Sequence, residues 1–552
     1  MPMKTHLVIP LMLAAAPANT QPAAIASPAG PPPPEALGAH AGHGIDFVRD
    51  GVNVFDYLTP QQRVDVRSCR LTSDVTSGIQ AAVDTAAAST SGRVVLPDGC
   101  YRTKAPITLH SSIELVGASM RATKIVPNGN FPAISAIGTY AHGLTGVGVQ
   151  NMSVACAGMS NSNAMGIKLV YVNRGKLKDL YFNGCYHALD LYDQWQTTID
   201  NVTADGLGDQ QNRVGIYLGA PSDFSNKAPN NAVVVSNSTM QNVSQYGYEL
   251  VYFAGSKFIN DEAMNGVTGW KLCGDSYIIP EQACQFGHFA NILADTTTGP
   301  GIVVDQGVNA NPANNIMFDH VWIGSSAGQG LYLGGVTYSQ FDNIHITEAD
   351  VGINIKNSNN VKVSTSVASY NKNNNFSHAI LIDGGSNNTV WATNNQSKYS
   401  LGYNGIAEIG NSHGNSIWGG LSSCAPKLVF GNGDKARERL AYAAKSCQYE
   451  VQGRQVRMNF SFSLSSLGHS SGPAALSALP FAADAGAGKD NAVGVLVASG
   501  MTGLRGTVMA QIVQNEAVAK LYFQGETGPL PLTIENFSPN SSISGSIEYI
   551  KN

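Results

Sequence analysis

Three acids, Asp190, Asp193 and Glu249, have the spacing and surroundings to carry chemistry in this chain. Asp190 and Glu249 each sit third in a short alternating phrase, Ala188-Leu-Asp-Leu191 and Gly247-Tyr-Glu-Leu250. Alternate side chains of a strand face opposite ways, so the apolar pair of each phrase points inward and the acid points out. Lys168, Tyr217 and Lys271 hold the same place in three sister phrases. Two outward carboxyls about 6.5–9.5 Å apart can work as a pair, one protonating a glycosidic oxygen while the other activates water. Asp193, three residues after Asp190, is a second partner within reach. Tyr192, Trp195, Tyr217 and Tyr252 offer ring faces to a sugar, and Lys168 and Lys271 offer charge. The plainer alternative is a solvated ladder of ion pairs, each worth little, with the aromatics in ordinary packing.

The elements that must position these residues are visible as a repeat. The phrase recurs as Gly166-Ile-Lys-Leu169, Ala188-Leu-Asp-Leu191, Gly215-Ile-Tyr-Leu218, Gly247-Tyr-Glu-Leu250 and Gly269-Trp-Lys-Leu272. It continues as Gly301-Ile-Val-Val304, Gly330-Leu-Tyr-Leu333, Gly352-Ile-Asn-Ile355 and Ala379-Ile-Leu-Ile382, at intervals of 22 to 32 residues. Between phrases lies a second strand containing Asp or Asn, as in Thr198-Ile-Asp-Asn-Val202 and Gln340-Phe-Asp-Asn-Ile344. Such a period, without helical stretches, predicts a parallel β-helix whose rungs bury their inner faces only by stacking. Stacking puts Lys168, Asp190, Tyr217, Glu249, Lys271, Val303, Tyr332 and Asn354 in one outward column. Asp190 and Glu249 are then two rungs apart, roughly 9–10 Å. Asp200, Asp319 and Asp342 fall in the recurring turn, where such side chains bond local backbone. Asp261-Glu262 is a further acidic pair, and His345 with Glu348 a weaker alternative site.

Composition bounds the function. The 552 residues carry 13% charged side chains, 59 glycines and a net charge of −5, which gives no basic footprint for nucleic acid. No apolar run reaches the roughly 18–20 residues of a membrane span. Lys4 and His6 precede the apolar run Leu7 to Ala16, and Ala16-Pro17-Ala18 fits a cleavage site, so residues 1–43 read as a secretory signal and Pro-rich linker. A disordered Ala/Pro-rich arm is the alternative. Eight cysteines pair plausibly with their sequence neighbours, 69 with 100, 156 with 185, 273 with 284 and 424 with 447, as an oxidising compartment allows. Free core thiols are the alternative, and no spacing suggests a zinc site.

Residues 44–105 carry the most specific signature. Val54-Phe-Asp-Tyr57 leads to Asp74-Val-Thr-Ser-Gly-Ile-Gln-Ala-Ala-Val-Asp84 and then to Gly92-Arg-Val-Val-Leu-Pro-Asp-Gly-Cys-Tyr101. The middle piece predicts a helix capped by Asp74 or Thr76, with Ile79, Ala82, Val83 and Ala86 on its apolar face. A helix there closes the open end of a solenoid. These three pieces, in this order, resemble the entrance of the pectate-lyase-like family of right-handed β-helix proteins, which includes tailspikes and secreted polysaccharide lyases and hydrolases. The resemblance implies a right-handed coil that handles carbohydrate and leaves the reaction open.

The expected architecture is therefore all-β. It comprises an entrance cap at 44–105, a right-handed parallel β-helix at 106–425, a connector with a short helix at 426–447 and a C-terminal β-sandwich at 448–552. The expected activity is an extracellular glycoside hydrolase using Asp190 and Glu249, with Asp193 assisting and no cofactor. Alanine at either acid should stop cleavage and leave the fold intact. β-Elimination is the runner-up, with Lys168 or Lys271 as base and calcium as a conceivable aid, disfavoured because only Arg174 and Arg213 lie between Lys124 and Lys435. A tailspike that attaches a virion to surface glycan is the third reading, and the resemblance also implies a homotrimer.

Overall fold

The computed structural model describes residues 51–89, 91–220, 229–274, 284–307, 312–367, 378–393, 404–431, 440–468, 471–484, 493–504 and 507–552. The signal-like segment and the whole Pro-rich linker lie outside these residues.

The chain opens with a cap. Thr59 and Gln62 form a reciprocal capping box at the start of helix Pro60–Arg67, which the sequence pattern had not shown. The expected helix is Thr76–Ala88, and it buries Ile79, Ala82, Val83 and Ala86. Asp74 accepts the Thr76 N–H at 3.0 Å one residue before the helix's first non-helical neighbour, Val75. Gly92 adopts a positive φ of 61°, ends the segment and leads into strand Arg93–Leu96.

From there to Ser416–Ser423 the strands pair in parallel, each with the equivalent strand of the next rung. Crossovers between parallel strands are right-handed, so the coil is a right-handed parallel β-helix. The repeated phrases are in strict register: Lys168 pairs with Asp190, Asp190 with Tyr217, Tyr217 with Glu249 and Glu249 with Lys271. Their flanking residues fill the interior, where Ile167, Leu189, Ile216, Tyr248 and Trp270 are all fully buried. Tyr248 and Trp270 stack with ring centroids 3.7 Å apart, and Phe258, Phe289, Phe318 and Phe341 form a second stack at 4.6–5.1 Å. The small first residue of the phrase has a steric cause. A Cβ on Gly247 would stand 2.8 Å from the Gly269 carbonyl oxygen, and one on Gly269 would stand 2.9 Å from that of Gly301.

The polar turn is a ladder. Asn201, Asn237, Asn260, Asn291, His320 and Asn343 all adopt left-handed backbone; the asparagine side chains bond from rung to rung, while His320 pairs with Asp319 of its own turn. Asn291 donates to Asn260 at 2.8 Å and Asn343 to Asp319 at 2.9 Å. Asp200 accepts from Ser236 and Asn237 of the next rung, so its partners lie across rungs, not in its own turn as expected.

Antiparallel pairing begins where Ser416–Ser423 meets Ala441–Gly453. The expected short helix over Lys435–Ala444 is not formed at its end, because Ala441–Ala444 belong to that strand; residues 432–439 lie outside the described set. Pairing with Gln455–Ser466 satisfies this backbone across a hairpin that turns through Gly453. Strands Val493–Ser499, Val508–Ile512, Val518–Gly525 and Ser542–Ile550 complete an antiparallel sandwich over buried Phe460, Leu496, Leu521 and Ile547. Lys551, fully buried, bonds Glu408 and the Asn415 carbonyl oxygen, tying this unit to the last rungs.

All eight cysteines are bridged, 69–100, 156–185, 273–284 and 424–447. Cys156–Cys185 closes a 29-residue span between rungs. Replacing both cysteines with Ser should lower unfolding stability by about 3–4 kcal/mol, read from denaturant midpoints.

Asp261 gives a second prediction. Its carboxylate is buried in the coil, accepting backbone N–H groups of Ser238 and Ile259 at 2.9 and 3.0 Å. Burial outweighs these bonds and pushes its pKa up to about 7. The folded state therefore holds a proton that the unfolded state releases near pH 4. Its stabilising contribution is full at acid pH and is lost as pH rises to about 7, with a slope near 1.4 kcal/mol per unit. Urea titrations from pH 5 to 8 should show this loss, and Asp261→Asn should remove that part of the slope.

Candidate active site

The outward column is real as geometry, but its members differ from simple surface residues. Asp190 faces outward and is nevertheless fully buried. His187 lies at 2.6 Å through Nδ1, the Tyr192 hydroxyl at 3.1 Å and the Lys168 ammonium at 3.3 Å. Burial alone would raise the Asp190 pKa; His187, by hydrogen bond and charge, and then Lys168 more than reverse this and hold it below the usual carboxylate range. Lys168 also lies 5.0 Å above the Tyr192 ring. One rung on, the half-buried Tyr217 ring stacks on His187 at 4.5 Å and meets Tyr192 edge-on at 5.7 Å. Arg213 reaches the same place, its Nη1 3.4 Å from His187 Nε2 and its guanidinium 4.4 Å above Tyr186. Burial, and then the charge on Asp190, drives the Tyr192 hydroxyl pKa well upward, so it stays protonated.

Glu249 closes the column. It is 8% exposed, and Lys271 lies 3.9 Å from it, with that ammonium 5.2 Å over Tyr246. Thus cation, carboxylate, tyrosine, carboxylate and cation follow one another on successive rungs, with His187 and Arg213 beside the first carboxylate.

Several expected members fall elsewhere. Asp193 sits at a left-handed bend with φ 49° and is mostly buried, near Tyr252 rather than Asp190. Tyr252 is only 6% exposed, too covered to stack on a sugar, and its carbonyl oxygen accepts from buried Asn230 at the corner. Trp195, by contrast, is 48% exposed at the strand edge. Asp261 points into the coil while Glu262 faces outward, as strand alternation requires, so they are not an acidic pair. Among the described residues no group of three or more His, Cys, Asp or Glu side chains could hold a metal ion.

His187 is the member that the repeat pattern concealed. By strand parity it matches inward Leu189, yet it stands at the first position of strand His187–Trp195, where the chain turns the corner and the ring swings out. The signal available was its place three residues before Asp190.

Residues 72–162 match the family model described as "Rhamnogalacturonase A/epimerase, pectate lyase-like". The match lies at the entrance of the coil, and there the chain is similar to that family. No curated protein matches the chain. Solved structures similar to this chain include the mannuronan C-5 epimerase AlgE4 A-module of Azotobacter vinelandii, at 16% identity, covering 67% of this chain and 95% of that one, with a TM-score of 0.43. The surface adhesin PfbA of Streptococcus pneumoniae is similar at 13% identity, covering 69% and 97%, with a TM-score of 0.42. The Dettilon tailspike protein follows at 10% identity, covering 86% and 91%, with a TM-score of 0.38. Overlaps this loose transfer no residue's role. No helix among the described residues is long and apolar enough to cross a membrane.

Because Asp190 is buried, alanine there is no longer expected to leave the fold untouched. Removing one partner of a buried ion pair leaves the other charge uncompensated. Asp190→Ala should destabilise the chain by about 3–5 kcal/mol in urea unfolding, whereas Tyr192→Phe, which removes one hydrogen bond, should cost about 1 kcal/mol.

Proposed function

We propose that this chain acts on an extracellular polysaccharide bearing uronate groups, removing the proton beside the carboxylate at C5. The observation that carries the reading is the His187–Asp190 pair set between Lys168 and Arg213. A carboxylate that accepts Nδ1–H leaves the Nε2 lone pair as the basic atom. Arg213 meets that lone pair at 3.4 Å, a long contact that a substrate carboxylate would outcompete. Turned to the substrate, Arg213 uncovers Nε2 and, with Lys168, stabilises the negative charge that develops as the C5–H bond breaks. Elimination then forms the C4–C5 double bond as the C4–O bond breaks, and the departing oxygen takes a proton from a neighbouring hydroxyl; Tyr217, stacked on His187, is in place for this. Return of a proton to the opposite face of C5 would instead give the epimer. The description of the matched family spans acidic-polysaccharide hydrolysis, epimerisation and lyase-like chains, and four disulfides suit an oxidising, extracellular setting.

The hydrolytic reading keeps Asp190 and Glu249 as an acid and base two rungs apart. It requires one of them to hold a proton near neutral pH. For Asp190, His187 and Lys168 work against that, which is why proton abstraction is preferred.

The test is incubation with polygalacturonate, alginate and neutral bacterial exopolysaccharides in deuterated water. The expected products are unsaturated uronate ends, seen by ultraviolet absorbance, or deuterium at C5. His187→Ala should reduce either signal by a factor of about 100 or more while keeping its circular dichroism. New reducing ends with neither signal would mean hydrolysis and return the acid pair to the centre.

A further inference from the structure

We propose that the coil carries a second, non-catalytic polysaccharide-binding trough, on the sheet that bears the asparagine ladder and centred on Trp322. In this sheet Glu262, Leu293, Trp322 and His345 pair in register on four successive rungs and face outward. Beside them runs the left-handed ladder of Asn260, Asn291, His320 and Asn343. Each left-handed residue bends its strand, so the sheet folds into a trough of about 410 Å³ floored by buried Ile292 and Val321. Rungs stack about 4.8 Å apart, so the trough runs along the coil axis for roughly 14 Å. That is the shape of a site for a linear polymer rather than a compact metabolite.

The lining names the polymer's chemistry. Trp322 is 38% exposed, presenting an indole face beside side-chain amides and imidazoles. Indole offers an apolar face for sugar C–H groups, and amides exchange hydrogen bonds with hydroxyls. The trough has one acid, Glu262, and no Lys or Arg, so it lacks the charge that a nucleic acid or a dense polyanion would require. It suits a neutral or sparsely charged saccharide stretch. Further along the same sheet Trp391 and Trp418 pair in register on consecutive rungs and are 42% and 45% exposed; they lie two residues to one side of the Trp322 column, which continues through Ser366 and Thr393. Of the chain's five tryptophans only Trp270 is buried, and three of the other four lie on this sheet. Burying an indole is among the larger apolar gains available to a fold, so three left in water on one sheet call for a ligand.

This site is independent of the proton-abstraction reading, and the experiment keeps the two apart. Binding is measured in a His187→Ala background, by affinity electrophoresis through gels containing polygalacturonate, alginate or a neutral glucan. Trp322→Ala should weaken retention by the neutral glucan about tenfold, Trp322→Phe should restore most of it, and Trp391→Ala with Trp418→Ala should weaken it further. Thermal melts and sedimentation mass should be unchanged. Full retention in the triple tryptophan variant would overturn the proposal, as would loss of all retention in Lys168→Ala with Arg213→Ala. A fall in sedimentation mass in Trp322→Ala would also overturn it, because the face would then be a contact between copies of the chain. Turnover surviving in His187→Ala would sink the catalytic reading and leave the trough standing.

Discussion

A rung of this coil has no core of its own. Leu189 and Leu191 are buried only because Ile167 and Leu169 lie beneath them and Ile216 and Leu218 above. Slipping one strand by a single residue would turn its apolar pair into water and its charged residue into the interior. The register of the whole solenoid is therefore fixed by the burial of its inner pairs, and everything on the outside inherits it. Lys168, Asp190, Tyr217, Glu249 and Lys271 share a column because the residues on either side of them cannot be anywhere else.

That inheritance explains how a carboxylate facing outward comes to be fully covered. Asp190 is hemmed by side chains delivered from three rungs, Lys168 from one side, His187 and Tyr192 from its own strand and Tyr217 from the other. Desolvating a carboxylate is costly unless it is compensated; here His187 and Tyr192 bond Oδ1, and Oδ2 has the Lys168 ammonium at 3.3 Å as its ion-pair partner. The arrangement leaves Asp190 poorly suited to trade protons with a substrate and well suited to fix the tautomer and tilt of His187. The buried charge thus acts at one remove, through the imidazole that it orients.

Much of this was legible in the chain, for identifiable reasons. The rungs, the column and the helix face of Ile79, Ala82, Val83 and Ala86 follow from period, and period is a property of sequence alone. The disulfides followed because neighbouring rungs bring sequence neighbours together. What stayed hidden depends on corners. His187 changes face where its strand begins, Asp193 and the ladder asparagines adopt left-handed backbone inside what alternation reads as plain strand, and Asp261 turns inward after such a bend. A period-2 rule fails wherever one residue takes a positive φ, and each such residue shifts the facing of all that follow it in the strand. The tail of the expected helix over Lys435–Ala444 failed for another reason: helix propensity there yields to a thirteen-residue strand that pairs on both edges.

The same bends explain why a β-helix can hold two unlike surfaces. On one sheet the outward positions of successive phrases converge on charge, with a Lys–carboxylate pair at each end of the column and Arg213 beside His187. On the other, left-handed asparagines crease every rung at the same place, and the crease becomes a trough lined by amides and an indole. The two surfaces share only the rungs of Glu249 and Lys271, which also carry Glu262 and Leu293, and there the stacked Phe258 and Phe289 with Trp270 fill the interior between them. A substitution that changes chemistry on one face can therefore leave the other intact, provided that it spares the inner pairs. For a long polymeric substrate this separation has a kinetic consequence: a strand held at the trough remains at high local concentration near the column after each turnover.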